Sequence, residues 1–264
     1  MPTAYMMGYS AGLEARLRFR SDQHQGGTAG MAPGHVQGNV ISLPSDWAAE
    51  FLRYCVLNPK PCPLLGISEP GDWRLPTLGE DIDIRSDLPS YRVWKAGVFQ
   101  GLAPHVRDIW REDLVTFVLG CSFSLDFVLR DAGILATAPS EGSSTPAFVT
   151  SIPTAPAGRF SGPLVVTARC LKAADAIRAI QITSRYPSAH GAPVHIGSPE
   201  IIGIESLSRP DYGDAMTCGS DLLPVFWACG LTPVESLMAA APPLCITHGP
   251  EAMLITDLRI TAQT

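Results

Sequence analysis

Three short stretches of this chain place nucleophilic, acid–base and anion-binding side chains at a turn that follows apolar text. The first is Leu119-Gly120-Cys121-Ser122-Phe123-Ser124-Leu125-Asp126. A helix starting there would direct unpaired N–H groups outward beside the Ser122 and Ser124 hydroxyls, a place for a carboxylate or an oxyanion. Such a terminus also depresses a thiol pKa, which would make Cys121 a nucleophile. In the simpler reading one serine is the N-cap, Cys121 packs and Asp126 offsets the helix dipole. The second stretch runs from Thr183 to Gly197 and joins Arg185, able to hold a carboxylate bidentately, to His190 and His195, able to exchange protons near neutral pH. His-x-x-x-x-His aligns ligands on neither a helix nor a strand face, so no metal and no organic cofactor are expected. Its alternative is a histidine that bonds the backbone of a tight turn. The third is Cys245-Ile246-Thr247-His248-Gly249-Pro250-Glu251, where Thr247 and His248 close a buried strand at the end where α/β sheets place ligands.

The elements that must carry these turns are short, because 24 glycines and 24 prolines punctuate the chain. The N-terminal stretch with Tyr5, Met6, Met7, Glu14, Arg16, Arg18 and Arg20 lacks the features of a secretory signal and reads as an amphipathic helix. Ser45 opens a helix with Trp47, Phe51, Leu52 and Cys55 on one face, stopped at Asn58-Pro59. Residues 61–104 read as irregular connection with one edge strand at Tyr91–Lys95. His105–Leu119 shows helical spacing, and another helix starts near Ser122 or Ser124 and ends at Gly133. Thr137–Ser161 reads as a long loop or boundary. A strand at Pro163–Thr167 precedes a helix over Leu171–Ser184. Strands follow at 194–196, 201–204, 222–228, 244–247 and 253–258, with a helix opened by the capping box Thr232-Pro233-Val234-Glu235. Strands interleaved with helices predict an α/β protein with a mixed sheet.

Composition bounds the partners. A formal charge of −6 and the lack of a basic stretch argue against nucleic acid, and no apolar run reaches the ~20 residues of a membrane span. A small anionic substrate fits better, and a homo-oligomer is compatible with the sequence. Seven scattered cysteines without a C-x-x-C pair predict free thiols rather than a disulfide framework, and hence a cytoplasmic protein. Glycine-rich phosphate loops, H-E-x-x-H and G-x-S-x-G are absent.

Eight segments in order carry a resemblance: Thr28–Gly34, Asn58–Leu65, Asp83–Pro89, Gly120–Ser124, Gln181–Arg185, His190–Gly197, Pro224–Gly230 and Ile246–His248. Together they resemble the hydro-lyase family whose domain also occurs in mitochondrial D-glutamate cyclase. The resemblance implies a larger α/β domain, residues 1–125 with 206–264, and a smaller inserted α+β domain, residues 126–205. It implies a carbon–oxygen lyase acting on a small carboxylate, with D-glutamate conversion to 5-oxo-D-proline and water as the specific form. In that chemistry Arg185 would clamp a carboxylate, His190 and His195 would carry protons, and the Cys121-Ser122 turn would stabilise an oxyanion near His248. This chain departs from the family pattern at Leu125-Asp126, where an aromatic residue and glutamate are usual, and at Ser198, usually aspartate. It also has His248-Gly249-Pro250-Glu251-Ala252 in place of His-Ala-Pro-Gly-His. Those changes keep open a non-catalytic carboxylate-binding protein, and Cys121 keeps open a cysteine-dependent amidohydrolase.

Overall fold

A computed structural model of the chain describes residues 10–134 and 144–261; Tyr5, Met6 and Met7 and part of the expected 137–161 loop lie outside them. Two sheets form the frame. The first has the order β2 (Leu64–Ile67), β5 (Leu114–Gly120), β1 (His35–Pro44), β10 (Cys245–His248), β3 (Tyr91–Lys95), β4 (Val98–Ala103), with β11 (Leu254–Arg259) also paired to β1. The second has the order β6 (Ala147–Pro153), β7 (Pro163–Leu171), β9 (Leu223–Ala228), β8 (His195–Ile196). Helices and sheets combine as the α/β class requires, but every ladder among the described residues is antiparallel where a mixed sheet was expected. The strands of the second sheet are all drawn from residues 147–228, between two parts of the first.

Sheet one is buried on both faces, and this explains its sequence. One face packs Ile41, Leu43, Phe117 and Leu119 on helix α2 (Ser45–Leu57) through Trp47, Phe51 and Tyr54. The other packs Val40, Val118 and Ile246 on Leu75, Leu78, Ile82, Ile84 and Leu88 from the irregular 73–91 segment. Strands covered twice lose the alternation that marks a strand. For that reason the expected helix over His105–Leu119 is instead a 3-10 turn at Arg107–Ile109 followed by β5. Strand β3 lies between β10 and β4, so the edge is β4 and not Tyr91–Lys95.

Aromatic rings bind the two sheets together. Phe160, from the β6–β7 connection, lies 5.2 Å from Phe51, itself 4.9 Å from Phe117, both edge to face. Such pairs are worth about 0.5–1.5 kcal/mol beyond the area they bury. Helices α3 (Phe123–Asp131) and α4 (Ala173–Thr183) cover the opposite region, with Leu125, Leu129, Ala176 and Ala179 against Val225 and Trp227.

The helix expected at the N-terminus is α1 (Ala11–Arg20); it buries Ala15 and Phe19 against Ile255 and, beside them, a charge. Arg16 is fully buried and donates to Asp81 at 2.5 Å, Asp257 at 2.8 Å and the Ile255 carbonyl at 2.8 Å. The residues expected as a strand at 201–204 form a 3-10 turn, Pro199–Ile202. The capping box is not formed. Helix α5 (Leu231–Ala240) begins at Gly230, while the Thr232 hydroxyl is used by the Val165 N–H at 2.9 Å and Glu235 accepts from the Tyr212 hydroxyl. One disulfide, Cys170–Cys218, stands against the expectation of free thiols throughout; Cys55, Cys62, Cys121, Cys229 and Cys245 are free. A C-x-x-C search cannot find a bond between cysteines 48 residues apart. No helix among the described residues is long and apolar enough to cross a membrane.

Candidate active site

Strand β7 carries two polar residues into an otherwise apolar interior. Thr167 and Arg169, two apart, project to the same face of the second sheet, where the Arg169 guanidinium lies 5.2 Å from the Trp227 ring. Arg169 donates to Asp126 through Nη2 at 2.5 Å and Nε at 3.1 Å. Its third nitrogen, Nη1, is buried and has no hydrogen-bond partner among the described residues, and the same holds for Thr167 Oγ1. Asp126 sits in the first turn of α3. It does more than offset a dipole, because it anchors one side of the guanidinium and leaves Nη1 on the other side unpaired among the described residues.

His190 brings the complementary group. It follows a 3-10 turn, Pro187–Ala189, in the left-handed conformation, φ 76°, with Gly191 also left-handed at φ 67°. For histidine this backbone is costly and persists where surrounding structure enforces it. The ring is buried, with Nδ1 2.9 Å from the Lys60 carbonyl and Nε2 lacking any partner among the described residues. A carbonyl only accepts, so Nδ1 must carry the proton and Nε2 presents a bare lone pair. Burial pushes the His190 pKa down to about 4, opposed by the Lys60 hydrogen bond and reinforced by the charges of Lys60 and Arg169. The imidazole is therefore neutral at physiological pH.

Arg169 and His190 occupy one electrostatic neighbourhood. The Arg169 charge acts on His190, Cys121 and Cys229. Gly120 makes this approach possible at the end of β5, since a Cβ there would come 1.7 Å from the Ser188 carbonyl oxygen in the turn before His190. Asn39 on β1 packs against the same turn, donating to the Gly120 carbonyl at 2.8 Å and filling the space beside Gly230, whose Cβ would lie 2.4 Å from it.

The remaining sequence candidates have other partners. Cys121 is buried, and burial pushes its thiol up to about 12 despite the Phe123 N–H; desolvation outweighs the helix terminus that was expected to depress it. Ser122 is buried at the N-cap position of α3 without a side-chain cap, and Ser124 accepts from the Gln37 N–H at 2.9 Å. Thr247 accepts from Trp94 Nε1 at 3.3 Å. His248, one residue on and so facing away from Thr247, is buried with Nδ1 3.2 Å from the Val40 N–H nitrogen; burial lowers its pKa to about 4. His195 packs on Phe226, on the face of β9 opposite Trp227, with Nε2 bonded to the Ser198 carbonyl at 2.8 Å. Arg185 is exposed after α4. The structure thus places His190 and Cys121 in one neighbourhood, His195 on another face, and Arg185 at the surface. Among the described residues no three His, Cys, Asp or Glu side chains group as metal ligands.

Sequence reasoning missed Arg169, Thr167 and Lys60. A cation inside the apolar strand text Val165-Val166-Thr167-Ala168-Arg169-Cys170-Leu171 was the available signal.

The site holds a buried guanidinium fixed on one side by Asp126 and, within reach of its charge, an imidazole whose Nε2 has no partner among the described residues. Residues 115–257 match the D-glutamate cyclase family. Proteins bearing the name "Putative hydro-lyase" are similar over most of their length: that of Bordetella petrii is 57% identical over 92% of this chain and 92% of its own. That of Verminephrobacter eiseniae is 54% identical over 93% and 89%, and that of Methylobacterium radiotolerans 52% over 95% and 92%. The chain belongs to the D-glutamate cyclase family.

The departures from the family pattern now have physical readings. Asp126 keeps an acid on Arg169. Glu251 stands where the pattern has glycine, at φ 56°, and its carboxylate accepts from the Thr145 N–H at 2.9 Å. Ala252, in place of the second histidine, is buried.

Proposed function

We propose that this enzyme is a hydro-lyase that converts D-glutamate to 5-oxo-D-proline and water. The observation that carries the reading is the set of buried, unpartnered atoms Thr167 Oγ1, Arg169 Nη1 and His190 Nε2, which together form a donor, a cation and a base. Arg169 Nη1 holds the α-carboxylate. His190 Nε2 removes a proton from the α-ammonium, and the freed amine attacks the γ-carboxyl carbon to form the lactam C–N bond. Thr167 donates to the oxyanion; His190 returns the first proton to the departing oxygen, takes the second from the ring nitrogen and delivers it as the C–O bond breaks. The two protons lost by nitrogen leave with that oxygen as water, so the balance closes without a co-reactant.

Turnover of D-glutamate to 5-oxoproline in a proton NMR time course is the expected result, with L-glutamate and simple hydroxy acids as competitors for assignment. Conversion of a hydroxy acid to an alkene, with D-glutamate untouched, would move the enzyme to a different hydro-lyase substrate.

Cys121 is not needed in this account. With its thiol protonated at neutral pH, Cys121→Ser should retain most of its activity, and iodoacetamide should leave the wild-type rate unchanged. Inactivation by alkylation, slowed by substrate, would instead support the cysteine-dependent amidohydrolase.

A further inference from the structure

We propose that Lys60 is a positioning residue for this reaction: its carbonyl fixes the proton of His190 on Nδ1, and its ammonium holds the left-handed backbone that turns Nε2 inward. The proposal rests on His190 as the proton carrier. Lys60 lies between Pro59 and Pro61 after α2, so its own backbone is restrained on both sides and its carbonyl direction is preset. That carbonyl is 2.9 Å from His190 Nδ1. The side chain returns to the same turn, with Nζ donating to the Ala192 carbonyl and, at 3.4 Å, to that of His190. One residue therefore grips the His190-Gly191-Ala192 turn at three atoms, across 130 positions of sequence.

The ammonium is half-buried and pairs with no carboxylate among the described residues; burial lowers its pKa. Carbonyl oxygens, those of His190 and Ala192, offset its desolvation. Its charge, together with Arg169 on β7, opposes protonation of His190. Three other ionisable groups belong to this neighbourhood: Asp126 on α3, bound to Arg169, and the protonated thiols of Cys121 at the end of β5 and Cys229 after β9. Lys60 thus sets the direction and the tautomer of the base, while burial is the main reason the imidazole stays neutral.

The test is imidazole NMR of His190 in the substrate-free protein, combined with steady-state kinetics on wild type, Lys60→Met, Lys60→Gln and Lys60→Arg. Lys60→Met should raise the His190 titration midpoint and lower kcat about 10-fold, with a smaller change in KM, as expected when a reacting group is slightly misplaced. Lys60→Gln, which keeps a donor for Ala192 without the charge, should raise the midpoint but preserve most of kcat, and Lys60→Arg should restore both readouts. An unchanged midpoint and kcat in Lys60→Met, or an Arg variant as impaired as Met, would overturn the proposal. If the imidazole responds as described but wild type leaves D-glutamate intact, the reaction assignment falls and the coupling of Lys60 to His190 stands.

Discussion

Arg169→Met is expected to lower kcat/KM for D-glutamate by about two to three orders of magnitude, because losing one partner of a buried, hydrogen-bonded charge pair costs about 2–5 kcal/mol. Most of the loss should fall on binding, since the guanidinium holds the substrate carboxylate in both ground and transition states. Arg169→Lys should recover only part of it. A lysine cannot bond Asp126 and a ligand carboxylate from one planar fork as Arg169 does through Nη2, Nε and Nη1. Folding should survive the Met variant, because the Asp126 side chain is 38% exposed and can return to water when its partner is removed. Arg185→Ala is the matched control. Its side chain is exposed, so its affinity for substrate should equal that of wild type. Loss of affinity in Arg185→Ala with a normal Arg169→Met would return the clamp to the surface arginine that the sequence suggested.

His190→Asn should reduce kcat by about 10²- to 10⁴-fold, the range for removing a positioned general base. Asparagine is the informative substitution because it tolerates the left-handed backbone, and its amide N–H can still meet the Lys60 carbonyl, yet it takes up no proton. The same residue links activity to acid stability. Its folded pKa, about 4, lies below the value near 6.5 of a free imidazole, so the unfolded chain binds the proton first. Its contribution is therefore complete above about pH 6.5 and is lost as pH falls toward 4, with His248 acting in the same direction. Each histidine is worth up to about 3 kcal/mol across that window. Denaturant titrations should show wild type losing stability between pH 6.5 and 4, with His190→Asn losing roughly half as much. An acid-loss curve identical in the two proteins would mean that the His190 ring already takes up protons in the folded state.

How much of this was legible in the sequence depended on whether a pattern was local. Helix α2 was readable from Trp47, Phe51 and Cys55, and α3 from its apolar face and the stop at Gly133, because a buried face and a stop lie within a few residues; the expected serine caps are absent, α2 following Pro44 and Ser122 making no cap hydrogen bond. Strand β1 was not. Its text, His35-Val36-Gln37-Gly38-Asn39-Val40-Ile41-Ser42-Leu43-Pro44, looks like a polar connection, although every residue is buried. The polar side chains are satisfied at long range: Gln37 by Thr28, Asn39 by Gly120, Ser42 by Thr116. Within the site, His190 stood out because it sits in a glycine- and proline-rich turn. Arg169 did not, because nothing near it in sequence names its partner Asp126, 43 residues earlier, or shows that one of its nitrogens is free. Of the two arginines, the chain offered Arg185 in a visible motif and hid Arg169 in a strand.

The central claim is that Arg169 and His190 hold the substrate between them, and a crystal structure with 5-oxo-D-proline bound tests it most directly. The account predicts the product carboxylate on Arg169 Nη1, the lactam nitrogen facing His190 Nε2 and the lactam oxygen within reach of Thr167. Product seated elsewhere, with those three atoms making no contact to it, would contradict the account.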